Sequence, residues 1–220
     1  MTGPGIGARI RRLEAVQRSG EVRVAITPHR LHVDVWPHDL PWPAALSAGV
    51  LERRDGYCHR PENVAFAGLM LAETPTHILE LGAGSGSLLL SGVAVSGARA
   101  TAVELQPAVA ERLGRTLQAH EIEAEIRVGD LRDDAVLAEI ADVDLVVANP
   151  PFYPADWGRP SKDPEVHTST HALHGGVAAF LTAASRLLGP GGVAWFVYDA
   201  GRAAELVAAA GEAGFGISRW

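Results

Sequence analysis

The sequence is poor in cysteine and in long apolar runs. Cys58 is the single cysteine in 220 residues, so an internal disulfide is excluded. No apolar stretch is long enough to span a bilayer, and no signal-peptide core follows the early arginines. We therefore expect a soluble, cytoplasmic protein that makes no use of a membrane.

The net charge is negative and unevenly distributed. A formal charge of −7 argues against a protein that coats nucleic acid nonspecifically, because such binding is mostly phosphate neutralisation. Residues 1–30 nevertheless hold six arginines against two acids. They could form a basic arm that reaches a phosphate backbone beside an acidic body, or merely a solvated surface.

Length and composition predict one main domain. At 47% hydrophobic residues the chain can bury one sizeable core. We assign residues 1–44 to an N-terminal basic appendage and residues 45–220 to an α/β domain. The appendage should contain a short helix over residues 9–19 and two alternating strands over residues 22–26 and 31–35.

Histidines of the appendage do not form a recognisable metal site. They have no cysteine partners and no helical spacing, so we predict no bound metal. The histidines concerned are His29, His32 and His38.

A glycine-rich turn follows the first strand of the main domain. Residues 77–81 are apolar enough for a buried strand, and Gly82, Gly84 and Gly86 follow at alternate positions. Glycines without a Cβ let the backbone approach a ligand and tighten the turn into the next helix. Glu80 would repel a pyrophosphate but could help to hold an ammonium. S-Adenosylmethionine carries an ammonium and NAD carries phosphates, so the former is favoured.

Acids also follow the next two predicted strands. Glu104 ends the strand over residues 100–103, where a carboxylate can accept both hydroxyls of a ribose. Asp130 comes after the strand over residues 125–128 and can accept from an adenine amino group, while Leu131 can pack on the ring. Acids at successive strand ends beside a glycine loop predict a nucleoside site.

The fourth strand, residues 145–148, stops at Asn149, Pro150, Pro151 and Phe152. Two prolines fix φ and remove two amide donors, so the carbonyl oxygens of Asn149 and Pro150 face outward as acceptors. Together with the Asn149 side chain they suit a planar NH2 group, on which the Phe152 ring could stack. A plain turn after a strand is the alternative.

Further elements complete the sequence pattern. We predict a helix over residues 177–188, a fifth strand over 193–198, a helix over 202–211 and a sixth strand over 215–220. The loop 153–174 lies between Phe152 and the first of these helices. Its Trp157 is a candidate for base stacking, and its Arg159 and Lys162 are candidates for phosphate contacts.

These motifs together resemble the class I S-adenosylmethionine-dependent methyltransferases that methylate amino groups. The resemblance covers roughly residues 56–215. It implies a Rossmann-like fold, a mostly parallel sheet with helices on both faces, and it leaves the usual seventh strand without residues. By resemblance, Glu104 binds ribose, Asp130 binds adenine, and Asn149, Pro150 and Phe152 hold the target base.

Finer features resemble one branch of that superfamily. Gly56-Tyr57 with Glu62, the segment 104–107, the segment 161–164 and His171 are similar to bacterial enzymes that methylate adenine N6 in valine tRNA. Cys58 stands where those enzymes usually have arginine. The resemblance implies a structured RNA partner, tRNA above all, contacted by the arginine-rich N-terminus and the loop 153–174.

Other functions remain open at this stage. Enzymes with the same bend methylate a release-factor glutamine or a guanine N2 in ribosomal RNA. A cofactor-binding scaffold without catalysis is the alternative from another class, although the intact Asn149–Phe152 bend speaks against it.

Overall fold

A five-stranded, wholly parallel sheet forms the centre of the chain. The structure, a computed structural model, describes residues 4–27, 36, 39–57 and 62–218. The strands are β1 (Glu21–Val24), β2 (Val50–Arg53), β3 (His77–Leu81), β4 (Arg99–Glu104), β5 (Ala124–Val128), β6 (Val143–Ala148) and β7 (Leu188–Phe196). The central sheet has the order β5-β4-β3-β6-β7, and β1 pairs with β2 in a separate antiparallel ribbon.

Helices connect the strands and cover the sheet. They are α1 (Ile6–Val16), α2 (Ala44–Ala48), α3 (Glu62–Glu73), α4 (Ser87–Ser96), α5 (Pro107–Ala119), α6 (Asp134–Leu137), α7 (Pro164–Thr170), α8 (Gly176–Leu187) and α9 (Ala203–Glu212). None of these helices combines the length and apolarity that a bilayer crossing requires.

Both faces of the sheet are buried because successive strand residues point to opposite sides. Ile78 packs in a cluster with side chains of α3, α4 and α5, whereas Leu79 packs in a second cluster with side chains of α6 and α8. Val147 and Val146 of β6 divide between the same two clusters. The predicted α/β fold, a doubly wound sheet with helices on both faces, is confirmed.

The N-terminal segment packs against the main body. Leu13 of α1 is fully buried in a cluster with Ala48, Leu51 and Ala119. β1 confirms one predicted strand, but its partner is β2. The other predicted strand, residues 31–35, lies outside the described residues. The two strands of the ribbon therefore lie on opposite sides of the predicted domain boundary at residues 44 and 45.

The predicted sixth strand is wrong over residues 215–218, which form no strand. Gly214 adopts a φ of +84° and turns the chain back, and the Phe215 amide donates to the Ala210 carbonyl at 2.9 Å. The Phe215 ring packs against two of the buried clusters. Apolar packing onto α9 thus replaces strand pairing here.

Candidate active site

Two adjoining cavities lie at the carboxyl ends of β3 and β6. Their volumes are about 110 and 60 Å³. Gly82, Gly84 and Asn149 line both of them. Between β3 and β6 the strand order reverses, and α/β proteins bind ligands in the crevice that this reversal opens. The structure therefore brings the glycine loop and the Asn149 bend to one site.

The three glycines of the loop have different surroundings. All adopt positive φ: +66° at Gly82, +54° at Gly84 and +75° at Gly86. A Cβ on Gly82 would meet the Phe180 ring at 2.9 Å, and one on Gly86 would meet Leu113 at 2.2 Å. A Cβ on Gly84 would meet nothing within 4 Å and would enter the cavity instead. Of these three glycines, only Gly84 has open space beside its Cα that a ligand can fill.

Glu80 lies deep beneath this loop. It is 3% exposed, and one carboxylate oxygen accepts from the Leu89 amide at 2.9 Å. Burial raises the pKa of Glu80 well above its ordinary value, with the nearby Glu104 charge adding to the shift. The carboxyl group lines the smaller cavity, where an ammonium would favour its ionised form.

Glu104 lies at the end of β4, where the sequence predicted it, and is 5% exposed. Its oxygens accept from the amides of Gly84 at 2.8 Å and Gln106 at 2.9 Å. Burial raises the pKa of Glu104. Each carboxylate oxygen has a further lone pair, so two backbone bonds still leave room for ribose hydroxyls.

Asp130 and Leu131 also line the larger cavity. The Asp130 carboxylate accepts from the Arg132 guanidinium at 2.7 and 2.9 Å, and His174 Nδ1 lies 3.3 Å away. The hydrogen bond from Arg132 is the main reason that the pKa of Asp130 falls to about 2. The carboxylate is thus at the predicted place but already has a cationic partner. An adenine amino group would have to share it with Arg132.

The Asn149 bend separates into groups that face the cavity and groups that do not. Asn149 and Pro151 line the larger cavity, whereas Pro150 is buried and is not in the lining. The Phe152 ring packs edge-on against Tyr153 with centroids 4.7 Å apart. Among the described residues, no hydrogen bond engages the Asn149 side chain or the Pro150 carbonyl. Both predicted acceptors thus lack a protein partner there, but only Asn149 borders the cavity.

An aromatic stack follows the bend. Tyr153 stacks on Trp157 with centroids 4.6 Å apart, and Trp157 is 56% exposed. His171 supports the stack through a 3.1 Å contact from its Nε2 to the Trp157 carbonyl. Arg159 and Lys162 are exposed in the same loop. Of these residues, Trp157 was predicted for base stacking and Arg159 and Lys162 for phosphate contacts, and those roles stay predictions.

The arginines of the N-terminal arm are largely engaged by the protein itself. Arg9 donates to the His120 carbonyl at 2.8 Å, and Arg23 donates to the Ala48 carbonyl at 2.9 Å. Arg12 pairs with Glu121 at 2.7 Å, and Arg18 pairs with Glu111 at 2.5 Å. Over these residues the arginines therefore do not form a basic arm that extends away from the protein.

Several lining residues were not predicted from the sequence. Ser169 and Arg112 border the smaller cavity, and Phe180 borders the larger one. Each lies inside a helix with no distinguishing local pattern. Gln106, two residues after Glu104, donates to the Ser169 hydroxyl at 3.3 Å, but this contact is visible only in the structure. All three residues reach the site through the tertiary fold.

A bound metal finds no support in the described part of the chain. No group of three or more His, Cys, Asp or Glu side chains there is arranged to hold an ion. His29, His32 and His38 lie outside the described residues.

The residues present fit the amino acid and nucleoside parts of S-adenosylmethionine. Gly84 leaves an open approach for the ligand. The buried carboxyls of Glu80 and Glu104 border the cavities and have the chemistry to accept from an ammonium and from ribose hydroxyls, and Leu131 has the apolar surface that an adenine ring needs. These protein groups therefore suit an adenosyl amino acid better than a pyrophosphate.

Comparison with known proteins gives an independent result. The family model described as the methyltransferase small domain matches residues 65–208. The release factor glutamine methyltransferase of Bifidobacterium longum is 34% identical over 164 residues, which cover 63% of this chain and 52% of that protein. Its counterpart in Corynebacterium glutamicum is 36% identical over 96 residues, 43% of this chain and 33% of that protein. The chain thus spans about half or less of these relatives.

A solved structure agrees at the level of the fold. The SAM-dependent methyltransferase from Agrobacterium tumefaciens superposes with a TM-score of 0.54 and 16% identity. The match covers 76% of this chain and 55% of that one. At this identity the likeness shows the shared Rossmann-like architecture and no more.

Proposed function

The chain belongs to the methyltransferase small domain family, and from that premise we propose that it methylates the NH2 nitrogen of a planar acceptor, with adenine N6 in tRNA as the favoured substrate. Family membership confirms the predicted enzyme class, an S-adenosylmethionine-dependent methyltransferase. The nature of the acceptor is the proposal.

One observation carries it. Asn149 lines both cavities beside Gly84, and no hydrogen bond among the described residues uses its side chain or the Pro150 carbonyl. Neither Pro150 nor Pro151 has an N–H with which to satisfy these acceptors. The half-buried Asn149 side chain borders an open cavity without a protein partner, so its oxygen can accept from a donor outside the protein. An NH2 group supplies two such donors.

The positions of these groups indicate what each contributes to the reaction. S-Adenosylmethionine supplies an electrophilic methyl group on a sulfonium. Asn149 and the Pro150 carbonyl bind both hydrogens of the acceptor NH2 and so aim its lone pair into the cavity. With the cofactor bound, the acceptor nitrogen would take the methyl group from the sulfonium, which would leave as a neutral thioether, and the methylated nitrogen would lose one proton to water. Alignment, rather than a strong general base, is what these residues provide.

Two features of the loop 153–174 favour a nucleobase. The exposed Trp157 ring, held by Tyr153, offers a stacking surface, and Arg159 and Lys162 add positive charge close to it in sequence. Since Arg9, Arg12, Arg18 and Arg23 already contact protein oxygens, the loop is the stronger candidate for RNA contacts. An adenine reaches such a site only after leaving its loop stack.

A glutamine side chain of a protein is the second candidate acceptor. Two curated relatives are named release factor glutamine methyltransferases. A glutamine amide presents the same planar NH2 group to the acceptors on Asn149 and Pro150. The bend itself therefore suits both substrates, and the loop has to distinguish them.

Methyl transfer to separated acceptors tests the proposal. The purified protein is incubated with methyl-labelled S-adenosylmethionine and either bulk tRNA or a release-factor preparation, and the digested products are identified. We expect label in RNA as N6-methyladenosine and its loss with Asn149→Ala. Label only in methylglutamine would establish the second candidate, and label in a guanine would reject adenine. Bound cofactor without transfer to either acceptor would indicate the scaffold alternative.

A further inference from the structure

Two acids at the beginning of α7 are held by arginines from other parts of the chain. Asp163 is the N-cap of this helix and accepts from the amides of Glu165 and Val166 at 2.9 and 3.3 Å. The same carboxylate binds both terminal nitrogens of Arg53, at 3.2 and 2.5 Å. Arg53 belongs to β2 and lies before the residues matched by the family. A bidentate pair therefore ties the N-terminal ribbon to α7.

Glu165 makes the second connection. Its carboxylate binds Arg112 of α5 at 3.0 and 3.2 Å and lies 3.4 Å from Arg53. The Arg112 side chain is 7% exposed, and its Nε lies 3.6 Å from Glu21 of β1. Glu21 in turn binds Arg115 at 2.5 Å. Charges from the ribbon, α5 and α7 thus form one continuous, partly buried network.

α7 needs such support because it is short. It has seven residues, none of them fully buried, and a helix of this length is unstable by itself in water. Its position matters because Thr168 and Ser169 line the larger cavity and Glu165 and Ser169 line the smaller one. A displacement of α7 would therefore open one wall of both cavities.

The ribbon also reaches the cavities directly. Glu52, next to Arg53, borders the smaller cavity, and Tyr57 borders both. Neither residue belongs to the matched family region 65–208. Residues that precede the family match, Glu52 and Tyr57, thus form part of the wall around the proposed cofactor cavities.

We propose that Arg53 and Arg112 are positioning residues that clamp α7 over the cofactor cavity, so that the N-terminal ribbon determines how tightly the cofactor is held. The inference goes beyond the choice of acceptor and rests only on the assignment of the cavities to S-adenosylmethionine. It makes the ribbon a functional part of the enzyme and not an accessory.

Binding measurements on matched variants test the clamp. Arg53→Gln removes the guanidinium but leaves the Asp163 cap, whereas Asp163→Asn keeps a capping oxygen but removes the charge. Arg186→Gln is the control, because Arg186 makes a 2.8 Å pair with Asp134 that is exposed and outside the cavity linings. Affinity for S-adenosylhomocysteine is measured by calorimetry, and hydrogen exchange is followed over residues 164–170.

We expect each single variant to raise the dissociation constant by about three- to tenfold, the range for a partly exposed bidentate pair. The double variant Arg53→Gln/Asp163→Asn should bind no more weakly than the weaker-binding single variant. Both substitutions break the same Arg53–Asp163 interaction, so their effects should not add. Exchange over residues 164–170 should rise in all three variants. Arg186→Gln should alter neither quantity, and thermal unfolding identifies any variant that fails to fold.

Unchanged affinity in the folded single variants would overturn the inference, even if exchange over α7 increased. Additive losses in the double variant would overturn it as well, because they would mean that Arg53 and Asp163 act separately. The binding result does not depend on methyl transfer. Failure of every acceptor would therefore contradict the proposed function and leave the clamp to be judged by its own measurement.

Discussion

Alanine at Gly84 should weaken cofactor binding without a matching loss of stability. The residue has a φ of +54°, and a Cβ there would enter the cavity instead of meeting protein atoms. Its amide would still be able to donate to Glu104, as it does now at 2.8 Å. The added methyl group therefore acts chiefly by occupying the space into which a ligand fits.

A matched variant measures the free-energy cost of the left-handed backbone conformation separately from the effect on ligand binding. Gly97, at the C-terminus of α4, has a φ of +71°, and a Cβ there also meets nothing within 4 Å. Alanine at either position should cost about 1–2 kcal/mol for the left-handed conformation. Gly86→Ala should cost more, because its Cβ would lie 2.2 Å from Leu113, a fully buried side chain.

Urea unfolding and calorimetry with S-adenosylhomocysteine measure the two effects. Gly84→Ala and Gly97→Ala should lose similar free energies of unfolding. Only Gly84→Ala should raise the dissociation constant, by about tenfold or more, equivalent to at least about 1.4 kcal/mol. Equal affinities in the two variants would refute the idea that the cofactor passes over Gly84.

Three further changes test other parts of the site and the fold. Asn149→Ala should lower kcat by about 10²- to 10³-fold in the methyl-transfer assay while calorimetry shows nearly unchanged cofactor affinity, and equal losses would contradict the assigned role. Asp130→Ala should weaken cofactor binding by about fivefold, the contribution of one hydrogen bond, and unchanged affinity would mean that Arg132 keeps this carboxylate from the ligand. Burial lowers the pKa of His120 to about 4, so the native state takes up its proton less readily than the unfolded chain. Stability should therefore fall as pH drops from 6.5 towards 4, and His120→Gln should reduce this dependence in urea unfolding at pH 5 and 7.5.

The site could be predicted from the sequence where its residues follow strands directly. Glu80, Glu104 and Asn149 each lie at the end of a short apolar run, and parallel strands bring such ends to one edge of the sheet. The local pattern therefore implied their proximity before any contact was known. The position of Asp130 after β5 was predicted in the same way, but its ion pair with Arg132 was not.

Contacts between distant segments could not be predicted in this way. Arg53 and Asp163 are 110 residues apart in sequence, and nothing in either segment identifies the other. β1 could equally have paired with a nearby strand, and only the tertiary packing of Leu51 under α1 and α5 selects β2. Charge patterns alone likewise suggested an RNA-binding arm where the structure places intramolecular ion pairs.

The end of the described chain shows a different limit. Residues 215–218 alternate like the beginning of a strand, but the Phe215 ring packs against the buried cluster that includes Ala209 and Ala210 of α9. Strand propensity depends on neighbours that the local sequence does not reveal. Tertiary packing decided the outcome here.

The proposed function requires that the unpaired acceptor of Asn149 faces the transferable methyl group across the Gly84 cavity. A crystal structure with S-adenosylhomocysteine tests this most directly. We expect the ligand sulfur to be directed at Asn149, with room for one amine between them and with the ribose beside Glu104. A ligand whose sulfur points away from the bend, or an Asn149 side chain turned into a bond with the protein, would contradict it.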